Sequence, residues 1–393
     1  MAFSSIKESR KMKAVELFAG AGGLAMGVER AGFEHVAVIE RDPSACGTLR
    51  ANASWPLFEC DIRQFDYTTV KQSIDILCGG PPCQPFSLGG KGRASLDPRD
   101  MFPEAIRAVR AMRPKAFLLE NVKGLMRERI GPYLEYVRLQ LRHPEVAMRS
   151  NESLRDHLAR LERHETSGSR SGLNYNIVVQ CLDASDYGVP QRRERVFIAG
   201  FRDDIEVEWS FPAPTHSHDA LLWSQWRSAS YWKRHKVHSK LIPHHVRGQV
   251  KARSLNAAPG TLPWLTVRDA LNDLPDPQLH PRLALAHNQH TYISGARAYV
   301  GHTGSSLDLP AKTLKAGVHG VPGGENMQIR PDGSVRYFTV RECARLQAFP
   351  DYYSFDCSWG QAMRQLGNAV PTTLAYILAN SIAKTLRKAS STN

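Results

Sequence analysis

Short apolar runs alternate with amphipathic stretches through the first part of the chain. Residues 14–18, 35–39, 74–78 and 117–119 are runs of the kind that form strands buried on both faces. Between them, residues 24–31 and 102–112 repeat apolar positions at helical spacing. Buried strands alternating with helices predict an α/β fold, a doubly wound and largely parallel sheet. Strand patterning returns at 176–181 and 195–200. The intervening residues 143–172 are dominated by Arg, Glu, His and Ser, and read as a charged helix and loop inserted on the surface.

After Phe211-Pro212-Ala213-Pro214 the alternation fades, and His, Pro, Trp and Arg become frequent up to about residue 335. From Thr339 the pattern is helical again, with amphipathic periodicity across 371–386. The expected organisation is a large domain over 1–210, a smaller one over 211–335, and a segment over 336–393 that returns to the first. There are no internal repeats and no low-complexity tract.

Composition narrows the function. The chain has 393 residues, 42% of them apolar, enough for one large core and a second lobe. Its net charge is +13, and its pI of about 9.5 suggests a polyanionic partner. The seven cysteines are odd in number and include no C-x-x-C pair, so zinc spacing is missing and a reducing compartment fits. Lys7, Arg10, Lys11 and Lys13 before an apolar stretch imitate a signal peptide, but Glu16 interrupts it. No run approaches the roughly 18 apolar residues of a membrane span. The expectation is a cytoplasmic protein without a metal.

Glu16-Leu17-Phe18-Ala19-Gly20-Ala21-Gly22-Gly23-Leu24 reads as a strand, a glycine turn and a helix. Such a turn lets backbone approach a ligand near a helix N-terminus. Glu40 ends the next strand, where an acid can accept from ribose hydroxyls, and Asp61-Ile62 after the third run are placed to hold adenine. The turn alone leaves NAD, FAD and S-adenosylmethionine open.

The deciding segment is Gly79-Gly80-Pro81-Pro82-Cys83-Gln84-Pro85-Phe86-Ser87, following a buried strand at the sheet edge where α/β proteins place their chemistry. Its prolines stiffen the backbone that presents the cysteine. Here the sequence resembles the DNA (cytosine-5)-methyltransferase family over most of its length. Phe18-Ala19-Gly20-x-Gly22-Gly23 is similar to the family's cofactor motif, and Pro81–Ser87 to its catalytic motif. Glu120-Asn121-Val122 is similar to its glutamate motif, and Gln191-Arg192-Arg193-Glu194-Arg195 to its arginine motif. Residues 339–350, and Gln365-Leu366-Gly367-Asn368-Ala369-Val370-Pro371, resemble its two late motifs. All six stand in the family's order.

The resemblance implies a methyltransferase that uses S-adenosylmethionine, with a Rossmann-like large domain and a smaller target-recognition domain. It implies Cys83 as nucleophile, Glu120 as the group that relieves charge on the cytosine ring, and Arg193 and Arg195 as supports. A thiolate adding to C6 makes C5 nucleophilic enough to take a methyl group, and cysteine ionises near neutrality. Arg192 is expected to face solvent or phosphate. Phe18, Ala19, Gly20, Gly22, Gly23, Leu24, Glu40, Asp61, Ile62, Pro82, Asn368 and Ala369 would hold the cofactor. The target base must leave the duplex to be reached. The glycine-rich stretch after Ser87, with Lys91 and Arg93, reads as a loop that closes over DNA, and Gln84 and Ser87 would touch DNA too.

In the small lobe, Trp223, Trp226, Tyr231 and Trp232 interleave with Arg227, Lys233, Arg234, Lys236 and Lys240. That mixture suits phosphate contact and stacking, or else the aromatics form the lobe's own core. Thr313-Leu314 resembles a Thr-Leu element of the family's recognition region, and residues 317–326 read as a loop for the major groove. The eleven histidines from His216 to His319 are not spaced as a metal site. The family's transfer-RNA branch carries a Cys-Phe-Thr signature that is missing here. The expected partner is therefore double-stranded DNA, bound by a monomer, with a restriction endonuclease of the same system as a candidate companion. A non-catalytic DNA-binding relative and a nicotinamide- or flavin-dependent oxidoreductase are the competing readings. The first would show a damaged motif, and the second leaves the cysteine motif unexplained.

Overall fold

The computed structural model describes residues 11–82, 100–168, 172–242, 246–298, 303–316 and 326–392. Strand β1 (Met12–Leu17) leads through the glycine turn into α1 (Gly23–Arg30), β2 (Phe33–Glu40), α2 (Pro43–Asn52) and β3 (Leu57–Glu59). Then come β4 (Ile76–Gly79), α3 (Phe102–Met112), β5 (Ala116–Val122), α4 (Gly131–Arg142), α5 (Leu154–Thr166), β6 (Tyr175–Asp183) and β7 (Glu194–Arg202). They form one seven-stranded sheet in the order β3-β2-β1-β4-β5-β7-β6. The first five strands are parallel, while β7 runs antiparallel to both β5 and β6. The expected α/β sheet is present, with an antiparallel pair at one edge that apolar runs alone do not reveal.

Successive side chains of a strand point to opposite faces, and the central strands are apolar on both. Val15, Leu17, Leu77, Phe117 and Leu119 pack with Phe102, Ile106 and Val109 of α3 and Val137 of α4. Ala14, Ile76 and Leu118 pack on the other face with Leu24 and Val28 of α1.

The charged insertion is more than surface. Ser153 caps α5 by accepting from the Asp156 N–H, and the helix buries His157 and Leu161 against α4. The Tyr136 hydroxyl lies 2.9 Å from His157 Nδ1. Charge fraction hides this, because two residues at helical spacing suffice to dock a helix.

The second lobe is built of short pieces: β8 (His216–Ser217), α6 (His218–Leu222), a π-helical turn at Trp223–Arg227, α7 (Ser230–Arg234), α8 (Val246–Arg253) and β9 (Leu262–Pro263). Next come α9 (Val267–Leu271), α10 (Pro281–Ala284), β10 (Ser305–Ser306), β11 (Met327–Ile329) and β12 (Val335–Tyr337). β8 and β9 form one small sheet, and β10, β11 and β12 another. Leu221, Tyr231, Trp232 and Trp264 are its buried centre, with Trp226 packed on them. Of the two readings the sequence left open for Tyr231 and Trp232, the structure shows core.

The chain then returns through α11 (Val340–Leu346), α12 (Trp359–Asn368) and α13 (Thr372–Thr392). α13 lays Leu374, Leu378 and Ile382 on the sheet face covered by α1. Fully burying each such side chain contributes about 1.5–3 kcal/mol, so this segment belongs energetically to the large lobe.

Candidate active site

A cavity of about 690 Å³ opens where β1, β2, β4 and β5 end. Phe18, Ala19, Gly20, Gly23, Leu24, Glu40, Asp61, Ile62, Pro82, Asn368 and Ala369 all line it. Gly22, the one other residue expected at the cofactor, stands just behind the wall. Its φ is +75°, and a Cβ there would meet Leu49 at 2.8 Å and Trp55 at 2.9 Å. Gly20 (φ +54°) has open space where a Cβ would stand, which makes a cradle of bare backbone. Phe18 adopts a left-handed conformation (φ 55°), a strain that recurs at ligand sites.

Glu40 organises this end. Its Oε2 accepts from the Gly20 N–H at 2.7 Å, and its Oε1 accepts from the Arg41 and Asp42 N–H groups at 2.7 and 2.8 Å. Three of the carboxylate's four lone-pair sites are thus taken, and the one left, on Oε2, is open to a ribose hydroxyl. Asp61 accepts from the Arg63 N–H at 3.0 Å and from Arg63 Nε at 2.9 Å, and these bonds hold its carboxyl well below the usual range. Bare glycine backbone, an acid at the end of β2 and another after β3 fit the adenosine end of S-adenosylmethionine.

The same cavity reaches Glu120, Arg193 and Arg195, three of the four predicted catalytic groups. Glu120 is 8% exposed at the end of β5, with Arg195 Nε 2.9 Å from its Oε1. Burial pushes its carboxyl above the usual range, against the opposing pull of Arg195 and Arg193. Arg193 is fully buried; its Nη1 donates to the Leu314 carbonyl (3.3 Å) and its Nη2 to the Gly367 carbonyl (2.8 Å). It therefore ties β7 to the second lobe and to α12. Gly367 must be glycine, since a Cβ would lie 2.3 Å from the Ala316 nitrogen. Arg192 is exposed; it pairs with Asp183 and lies over the Trp264 ring.

Pro81 and Pro82, directly before Cys83 in the chain, line the cavity. Cys83, Gln84, Ser87, Lys91, Arg93 and the loop over 317–325 lie outside the described residues. The other six cysteines are unpaired thiols, and burial raises every one, Cys46 to about 12. A raised thiol is a poor source of thiolate, so none of the six is an activated nucleophile.

Leu314, expected at DNA, has a side chain only 1% exposed in the core of the returning segment. Its N–H donates to Gln191 Oε1 (3.0 Å), and the Thr313 hydroxyl donates to the Arg192 carbonyl (2.7 Å). Their contacts in this structure join the lobes. Arg234 pairs with Asp269 at 2.6 Å, so its charge is partly spent within the lobe.

Several cavity residues were given no role at the site from the sequence. Asn121 Nδ2 donates to the Pro81 carbonyl at 3.3 Å and so steadies the backbone that leads to Cys83. Asp42, Arg364 and Gln365 line the cavity as well. Glu16 also lines it, yet is 1% exposed, and its Oε2 has no hydrogen-bond partner. Burial pushes its carboxyl well up and lowers neighbouring His35 to about 4. The legible signal was an acid inside an apolar strand. Among the described residues no group of three His, Cys, Asp or Glu could hold a metal ion, and no helix is long and apolar enough to cross a membrane.

Comparison with known proteins agrees with this geometry. The family described as C-5 cytosine-specific DNA methylase matches residues 12–143 and 154–384. The gap between the two stretches falls inside the charged insertion. The chain is 33% identical over 396 residues to the Type II methyltransferase M.PspPI of Psychrobacter sp. (strain TA137), covering 98% of this chain and 82% of that protein. It is 31% identical to M.NgoMIV of Neisseria gonorrhoeae, covering 95% and 98%. Among solved structures, S. pombe Dnmt2 methyltransferase superposes with a TM-score of 0.56 at 15% identity, covering 96% of this chain and 99% of the other. That likeness speaks for the fold. The family match across nearly the whole chain speaks for the chemistry: this protein belongs to the C-5 cytosine-specific DNA methylase family and is a DNA cytosine-5 methyltransferase.

Proposed function

We propose that the chain methylates C5 of a cytosine flipped out of a specific double-stranded DNA sequence, with Cys83 adding to C6. The observation that carries this reading is one cavity shared by a glycine cradle, Pro81-Pro82 and a buried Glu120 whose carboxyl is held up by burial. Thiolate addition to C6 builds charge on N3 and O2 of the ring. A carboxyl whose proton burial retains to higher pH can donate it to N3 and stabilise that charge. Arg195 holds Glu120 in place, and Arg193 fixes the backbone of the facing lobe. The sheet edge excludes water on one side; the stretch after Ser87, with Gln84, Lys91 and Arg93, would close the other over DNA.

Phe18, Ala19, Gly20, Gly22, Gly23, Leu24, Glu40, Asp61, Ile62, Pro82, Asn368 and Ala369 would hold S-adenosylmethionine, which supplies the methyl group as an electrophile. Residues 1–210 and 336–393 would form the catalytic domain and 211–335 the recognition domain, with Thr313 and the 317–326 loop at the DNA. The relatives named Type II methyltransferases support a role beside a restriction endonuclease. The enzyme would act as a cytoplasmic monomer. Bisulfite sequencing of DNA from cells expressing the chain tests the activity. Protected cytosines should recur in one short sequence. Protection scattered without a common sequence would overturn the specificity, and its absence would overturn the reading.

A further inference from the structure

Four arginines line the cavity: Arg41, Arg193, Arg195 and Arg364. S-adenosylmethionine carries an α-carboxylate, which one of them or a set of free backbone N–H groups has to meet. Arg193 already has both terminal nitrogens on backbone carbonyls. Arg195 is engaged by Glu120 and by the Glu194 carbonyl. Arg41 is 64% exposed and lies 3.6 Å from Asp61, at the end of the cavity that suits adenosine.

Arg364 stands differently. It lies on α12 four residues before Asn368, so the two share a helix face, and both line the cavity. Its Nη2 lies 2.5 Å from Asp42 Oδ2, with 44% of the arginine side chain and 31% of the aspartate exposed. Groups that line a cavity and also meet solvent stand at its mouth. Asp42 is fixed there, because its Oδ1 caps α2 by accepting from the Ser44 and Ala45 N–H groups at 3.0 and 3.1 Å. Gln365 Nε2 donates to Ser44 Oγ at 3.0 Å, which pins α12 against α2 whichever way Arg364 points. The movable partner is the long arginine side chain.

We infer that Arg364 is a further cofactor-binding residue: it rests on Asp42 at the cavity mouth and turns inward to pair with the α-carboxylate of S-adenosylmethionine. The inference rests on the cofactor reading above. The test is calorimetric binding to the full chain without DNA, using S-adenosylmethionine and its decarboxylated form, which keeps adenine, ribose, sulfonium and ammonium. Arg364→Met should weaken S-adenosylmethionine about 10–100-fold, the effect of losing one charge-assisted pair, while the decarboxylated ligand stays within about twofold. Arg364→Lys should fall between, a point charge replacing the fork. Asp42→Asn keeps the helix cap and frees Arg364, so it should bind S-adenosylmethionine at least as tightly as wild type. Melting curves check that the variants fold; removing an exposed pair should hardly move them. Equal losses for both ligands in Arg364→Met, or no loss for either, would overturn the inference. Failure of the wild type to bind either ligand would instead overturn the cofactor reading beneath it.

Discussion

The cavity at the sheet edge and the small lobe beside it solve opposite problems. The cavity is held by long strands, buried charges and bonds between distant backbone positions, such as Arg193 to the Leu314 and Gly367 carbonyls. The small lobe has strands of two or three residues and a compact centre built around Tyr231 and Trp232. Its outer face carries exposed Lys233, Lys236 and Lys240. Chemistry needs atoms fixed to fractions of an ångström, so its residues sit on the ends of a packed sheet. On the proposed division of labour, reading DNA falls to the small lobe, and short pieces around a small core would suit an adaptable basic surface. The two regions should therefore fail in different ways when altered.

The largest expected effect lies in the cavity. Glu120→Gln should lower the methylation rate about 10²–10⁴-fold, the range for loss of a positioned acid, with DNA affinity nearly unchanged. The wild-type rate should also decline as pH rises through the raised value of Glu120, because the carboxyl then loses the proton it donates. A variant that loses DNA binding in step with rate would break the division between regions.

The converse change is in the small lobe. Trp232 is 4% exposed and its Nε1 donates to the Gln225 carbonyl at 2.7 Å. Trp232→Ala should cost about 3–5 kcal/mol locally, as aromatic truncation in a core does. Denaturation and binding assays should show DNA affinity lost with S-adenosylmethionine binding retained. Loss of both together would show that the lobes fold as one unit, with Arg193 as the coupling.

A third change probes the buried carboxyl of Glu16 in the cavity wall. Burial favours the protonated form of Glu16 in the folded state, so its stabilising contribution is present below the ordinary carboxyl range and is lost as pH rises through its raised folded value. Glu16→Gln should remove that loss and flatten the alkaline side of the stability curve. His35 acts oppositely: with its value lowered to about 4, it withdraws stability as pH falls from about 6.5 towards 4, and that acid side should persist in the variant. Urea melts across pH measure both arms.

The smallest effect is on the lobe's outer face. Converting Lys233, Lys236 and Lys240 to Gln should leave the fold and the chemistry intact. It should flatten the salt dependence of DNA binding by about 0.9 in log–log slope for each phosphate that is no longer neutralised. Arg234, which is paired with Asp269, should add less when included. An unchanged slope would place the phosphate-binding residues elsewhere.

The contrast also explains what the sequence made legible. β1, β2, β4 and β5 were readable because both their faces are buried and their apolar runs are unbroken. The cavity residues were readable because glycine turns and the Pro-Pro-Cys segment impose local backbone demands. The antiparallel placement of β7 was not, since register leaves no mark on composition. Asn121 on the Pro81 carbonyl, and Arg364 on Asp42, join residues far apart in the chain, and no local period announces them. Leu314 misled for the opposite reason: its motif was read for DNA contact, and the residue packs into the core of the returning segment.

On the proposed mechanism, chemistry resides at Cys83 and is assisted by Glu120. Duplex DNA carrying 5-fluorocytosine at the methylated position tests it most directly, since fluorine cannot leave as the C5 proton does. With S-adenosylmethionine present, the wild type should form a covalent protein–DNA adduct that survives denaturing gels. Cys83→Ser should form none while still binding the duplex, because a hydroxyl ionises far less readily than a thiol. An adduct of undiminished yield from Cys83→Ser would contradict the account and assign the nucleophile to another residue.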